Sequence, residues 1–117
     1  GPQPPAKAPT NVKAGLTGKA KKSGKSLKVG YEFTFMPPAG VPTATSCSGT
    51  VSFKAKFGKK TQTKTGKLST GTKKCRAKVV FKLPRSTRGK KVTFDSFFAG
   101  NGVMAPAHAI RKVKIKR

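Results

Sequence analysis

The sequence predicts an all-β domain, a sandwich of seven antiparallel strands, on three observations. Apolar residues recur with period two along three separate runs. Gly-, Pro- and Asn-containing turn signals divide those runs at short intervals. No segment shows a helical apolar period. A small closed barrel is the alternative arrangement of the same strands.

Taken in order, residues 1–10 (GPQPPAKAPT) are Pro-rich with almost no core-forming residues. They read as an extended linker that starts on a Gly1-Pro2 cleavage scar, and the domain runs over 11–117. Val12, Ala14 and Leu16 begin the first strand. Leu27, Val29, Tyr31, Phe33 and Phe35 then alternate with Lys28, Gly30, Glu32 and Thr34. The next run places Cys47, Val51, Phe53, Ala55 and Phe57 in one phase. Thr61 to Leu68 is polar and Thr-rich, an expected edge strand whose lysines oppose aggregation. Cys75, Ala77, Val79, Phe81 and Leu83 form the third strong run. Val92, Phe94, Ser96 and Phe98 share a phase, and a last strand near 107–115 holds Ile110, Val113 and Ile115 in an ambiguous one. Turns fall at Ser23-Gly24, Pro37-Pro38 with Gly40, Gly58, Gly71, Pro84 with Gly89, and Asn101-Gly102.

A chain of 117 residues has room for one core, although only 34% of it is hydrophobic. Its 27 Lys plus Arg face two carboxylates, for a formal charge of +25, and such a surface repels itself. A covalent staple offsets that repulsion. Cys47 and Cys75 are the only cysteines and both lie in core phase, so a disulfide is expected, with two buried thiols as the alternative. Closing the loop of 29 residues contributes about 3–4 kcal/mol. A disulfide in turn implies an oxidising, extracellular setting. Neither CxxC spacing nor His/Cys clustering points to a metal, no cofactor is expected, and no stretch is long enough for membrane insertion.

The stretch from 26 to 116 contains Gly49-Thr50-Val51-Ser52-Phe53, then FGKKTQTKTGKL, then FKLPRSTRGKKVTF, Ala99-Gly100-Asn101 and PAHAIRKVKIK. In order and spacing it resembles the bacterial immunoglobulin-like repeats of large surface and secreted proteins. The lysine density and the cysteine pair are not general features of that family. The resemblance implies a seven-stranded immunoglobulin-like sandwich and a cell-surface or secreted setting, and it transfers no ligand. In that arrangement Cys47 heads the third strand and Cys75 the fifth. These lie in opposite sheets, so the bond would be an inter-sheet disulfide.

Catalysis needs converging groups. Glu32 and Asp95 have the outward phase on strands of opposite sheets and cannot form an acid/base pair. His108 stands as the only imidazole. An isopeptide link of Lys to Asn101 or Asp95 would need an inward acid beside it, and none is in phase. A non-catalytic module is therefore expected.

Two patches remain as sites. Lys21, Lys22 and Lys25, then Lys59 and Lys60, then Arg85, Arg88, Lys90 and Lys91 occupy three loops that an immunoglobulin-like wiring gathers at one pole, joined by Lys112, Lys114, Lys116 and Arg117 of the last strand. The competing reading is a diffuse, solubilising charge. With 22 Lys and only 5 Arg, attraction without sequence readout is expected. Most aromatic residues point inward, and Phe97 is the exception. Teichoic acid, acidic polysaccharide, anionic lipid and nucleic acid fit this chemistry equally. At the other pole Met36, Val41, Val103 and Met104 offer a small apolar tip for a neighbouring domain, or else cap the core. The function expected is adhesive contact with an anionic polymer. The alternatives are a structural spacer in a surface stalk and, third, a secreted cationic effector.

Overall fold

A computed structural model describes residues 5–116. Its strands are β1 (Thr10–Leu16), β2 (Lys21–Ser23), β3 (Ser26–Met36), β4 (Thr50–Phe57), β5 (Lys60–Lys67), β6 (Ser69–Thr70), β7 (Cys75–Pro84), β8 (Lys91–Phe98) and β9 (Ala107–Lys114). One helical turn, α1 (Thr43–Ser46), precedes β4, and a 3-10 turn, Arg85–Thr87, precedes β8. The strands form two antiparallel sheets. One runs β1-β3-β7-β6 with β2 also on β3, and the other runs β5-β4-β8-β9. The all-β expectation and the two-sheet arrangement are met.

The strand count differs from the seven expected: nine are present among the described residues. The two additional strands are short. β2 is the outer arm of a hairpin with β3, turning at Gly24 in the left-handed region (φ 59°) that glycine tolerates. β6 exists because the chain changes sheets. β5 pairs along its whole length with β4, at the edge of the four-stranded sheet, as its polar composition suggests. At Leu68 the chain then crosses over, the Leu68 N–H donating to the Gly49 carbonyl (2.9 Å), and Ser69 and Thr70 pair with Arg76 and Cys75 of the other sheet. Residues 1–4 of the stretch read as a linker, and Arg117, lie outside the described residues. Within 5–10, Lys7 bridges to Met104, and Thr10 is already part of β1.

Period two translates directly into burial. Leu27, Val29, Tyr31, Phe33 and Phe35 of β3 face Val51, Phe53 and Ala55 of β4 and Val92, Phe94 and Phe98 of β8, with Ala77, Phe81 and Leu83 of β7 beside them. Tyr31 stacks on Phe94 (4.2 Å between centroids) and Phe35 on Phe98 (5.3 Å), contacts that each contribute about 0.5–1.5 kcal/mol beyond area burial. The ambiguous last strand resolves with Ala107, Ala109 and Val113 toward the core, Ile115 buried just past its end, and Ile110 outward and 60% exposed.

Both open sides of the sandwich are covered. On one, Arg111 Nη1 of β9 donates to the Ala14 carbonyl of β1 (2.7 Å). On the other, Gln62 Nε2 of β5 donates to the Lys82 carbonyl of β7 (2.6 Å). There Gly66 admits β5 against β7: a Cβ at this position would stand 3.1 Å from the Lys78 carbonyl oxygen and 3.1 Å from the Phe53 ring. Lys64, exposed on the core-facing phase of the same edge, blunts it against strand addition.

Cys47 and Cys75 are bonded, and both are buried. The expectation that Cys47 heads a strand is corrected, because it is the residue that ends α1, three positions before β4. The bond therefore ties the β3–β4 connection, rather than β4 itself, to the first residue of β7. No helix among the described residues is long and apolar enough to cross a membrane.

Candidate functional site

Strand register fixes where the loop cations go. Ser26 pairs with Pro84, which sets the β2–β3 hairpin with Lys21, Lys22 and Lys25 beside the start of the β7–β8 connection. Phe57 pairs with Lys60, so Lys59 and Lys60 form the β4–β5 turn. Lys91 pairs with Lys114, which brings the end of β9 to the same end of the sandwich. A cleft of about 380 Å³ lies between the β4–β5 turn and the β7–β8 connection, lined by Phe57, Lys59, Lys60, Pro84, Lys90 and Lys91 among others. A second, of about 660 Å³, is lined by Arg88, Gly89, Lys90, Lys114 and Lys116. Lys90 lines both, so the two clefts adjoin at that residue. Arg85 is exposed on the 3-10 turn beside them, and Lys112, one residue pair back from Lys114, faces outward.

The floor of this pole is held by hydrogen bonds. The Thr87 hydroxyl, buried, donates to the Pro84 carbonyl (2.7 Å). The Gly89 N–H donates to the Ile115 carbonyl (2.6 Å), and the Ile115 N–H donates to the Lys90 carbonyl (2.9 Å). Buried Ile115 thus pins the chain end under the lysines.

Neither carboxylate is near this pole. Glu32, on the outer face of the β1-β3-β7-β6 sheet, pairs with Arg76 Nε (2.8 Å). Asp95, on the outer face of the other sheet, pairs with His108 Nε2. Among the described residues no lysine lies within ion-pair distance of a carboxylate. The two acids are on opposite sheets, where the sequence placed them.

The opposite pole is built differently from the apolar tip offered as an alternative. Met104 takes the core-capping alternative: it is 1% exposed and is held beneath Lys7, whose N–H donates to the Val103 carbonyl (3.0 Å) while its carbonyl accepts from the Ala105 N–H (2.8 Å). Val41 and Val103 are half-buried, and Val103 packs on the core. Met36 is 39% exposed, its sulfur accepting from Asn11 Nδ2. The organiser of this end is Asn101, whose side-chain partners the sequence does not show. Asn101 Oδ1 accepts from the N–H groups of Val103 (3.0 Å) and Met104 (2.8 Å), and its Nδ2 donates to the carbonyls of Ser46 (3.1 Å) and Ser48 (3.0 Å). Its place in an Asn-Gly turn was the available signal.

The outward phase of Phe97 is met, and only its neighbours are new. Phe97 is exposed, with the His108 ring edge-on to it at 5.9 Å, and the Asp95–His108 pair adjoins it. Comparison of the chain with protein-family models, with curated proteins and with solved structures gave no match.

Proposed function

We propose that this chain is a non-catalytic, immunoglobulin-like module of a bacterial surface or secreted protein that holds anionic polymers electrostatically at its basic pole. One observation supports this above the others: two adjoining clefts lined by Lys59, Lys60, Lys90, Lys91, Arg88, Lys114 and Lys116, with the acidic side chains Glu32 and Asp95 engaged elsewhere. Cations gathered between low-dielectric walls raise the local potential above that of the same charges spread out, and a polyanion releases counterions on binding there. The disulfide is in keeping with an oxidising compartment. A purely structural spacer would need the lysines only as a solvated surface.

The two readings separate on matched variants. One replaces Lys59, Lys60, Lys90, Lys91 and Lys116 with Gln, and the other replaces Lys13, Lys64, Lys67, Lys78 and Lys82. All ten are exposed, and net charge falls equally. The first variant is expected to lose more heparin and duplex-DNA affinity and to show a shallower slope of log affinity against log salt. Equal losses in both would return the charge to a diffuse role.

A further inference from the structure

The outer face of the β5-β4-β8-β9 sheet carries short polar residues beside lysines, with Phe97 and Ile110 among them. Register lines up Thr65, Ser52, Phe97 and His108 in one row across the four strands, and Thr63, Lys54, Asp95 and Ile110 in the next. In the middle of these rows lies a shallow hollow of about 310 Å³, lined by Ser52, Lys54, Asp95, Phe97 and His108. Phe97, 44% exposed, is the aromatic ring that the described residues leave open to solvent. The fold holds it there for a reason of register: its neighbours Ser96 and Phe98 are buried, so Phe97 has to face out. His108 stands edge-on to the ring and its Nε2–H donates to the Asp95 carboxylate, which fixes the orientation of both side chains.

We propose that this hollow seats one ring of an acidic polysaccharide, so that the polymer held by the module is a charged glycan. The inference rests on the polyanion reading and narrows its ligand class. A sugar ring has an apolar C–H face and a rim of hydroxyls. The first suits the exposed face of Phe97, and the second suits an acceptor carboxylate at Asp95 beside the Ser52 hydroxyl and the His108 imidazole. Lys54, the register partner of Asp95 on β4, supplies the cation for a sugar carboxylate or sulfate, and Lys56 and Lys112 flank it in the following row. The position of Asp95 argues for hydroxyls over phosphates. One of only two acids in a chain of formal charge +25 stands at the exposed ring. A carboxylate there repels a bare phosphate chain, whereas it accepts hydrogen bonds from a polyol. Bases stacking on Phe97 would bring their phosphates against the same carboxylate.

The experiment compares heparin fragments, which have sugar rings, with polyphosphate of matched charge, which has none. Titration calorimetry is run on the wild type, Phe97→Ala, Phe97→Tyr and the five-lysine pole variant. Phe97→Ala is expected to weaken heparin-fragment binding about tenfold and to leave polyphosphate unchanged. Phe97→Tyr should keep wild-type affinity for both, and the pole variant should lose both. His108 is the only histidine, so its ring proton resonance in the wild type gives a readout that needs no mutation. It should move with heparin fragment and stay still with polyphosphate. Unchanged heparin-fragment affinity in Phe97→Ala, or a His108 signal that moves equally with both polymers, overturns the sugar site and leaves the pole standing. A thymidine oligonucleotide that loses more affinity than heparin fragment on Phe97→Ala overturns it in favour of base stacking. A wild type that binds neither polyanion overturns both readings.

Discussion

Tyr31 is the chain's one tyrosine, and the chain has no tryptophan, so a single phenol reports from the centre of the molecule. The residue is fully buried, stacked on Phe94 and edge-on to Phe53, and its hydroxyl makes no hydrogen bond of normal geometry. Burial raises its pKa above the usual 10.0, and the Arg111 charge and the nearby Ser96 hydroxyl only partly draw it back. The neutral phenol is thus favoured by folding. Its contribution is intact below the unfolded pKa and is lost as pH rises through the folded one. Phenolate absorbance should accordingly appear at higher pH than in the urea-unfolded chain, and coincident titrations would contradict this. Tyr31→Phe removes a hydroxyl without a partner, so it should change stability by less than about 1 kcal/mol at neutral pH and flatten the alkaline loss. Asn101 presents the opposite case. Two of its four hydrogen bonds tie the β8–β9 connection to the turn around α1, and the other two close that connection on itself. Asn101→Ala leaves two N–H groups and two carbonyls short of partners, and urea denaturation should register a loss of about 2–3 kcal/mol. A loss under about 0.5 kcal/mol would mean that water replaces the side chain.

At the level of strands, the covalent staple and the alternating pattern do separate jobs. Replacing Cys47 and Cys75 together with Ala should lower stability by about 2–5 kcal/mol, read from thermal or denaturant unfolding, and an unchanged midpoint would count against the staple. The alternation was legible because each long strand has one dry face and one wet face. Leu27 to Phe35 could slip register by one residue only by turning five apolar side chains to water. What stayed hidden lacks such a cost. β5 buries only Gly66 fully, so its pattern does not show how its outer edge is covered: the two-residue Gly58-Lys59 turn pairs it with β4, and Gly66 and Gln62 then meet β7. β6 is two exposed residues placed by the crossover. The turn at Thr43–Ser46 is too short to show a period, although Pro42 ahead of it is a fitting start signal. Ile110 obscured the phase of β9 because the inward residues there, Ala107 and Ala109, are small. That the β2–β3, β4–β5 and β7–β8 loops share one end was legible through loop topology. The Phe97 hollow was not, because it depends on the Phe97↔His108 and Ser52↔Phe97 pairings, which single strands do not encode.

For the molecule as a whole, charge is the dominant long-range force. With Glu32 and Asp95 each engaged by a neighbour, the lysines repel one another through solvent and salt alone. Screening length falls from about 30 Å at 0.01 M salt to about 8 Å at 0.15 M, so most of that repulsion should vanish over this range. The melting temperature is expected to rise with sodium chloride, and a flat or falling profile would show that the unfolded chain relieves no repulsion. The Cys47–Cys75 link has a further, mechanical consequence. β4, β5 and β6 lie wholly between the bonded residues, 28 positions apart. A force applied along the backbone passes from β3 through the two sulfurs into β7 and bypasses those three strands. About 100 Å of extended chain stays locked inside that loop until the bond is reduced. A molecule torn open under load therefore stops short of its full length, and reduction rather than pulling sets how far it finally stretches.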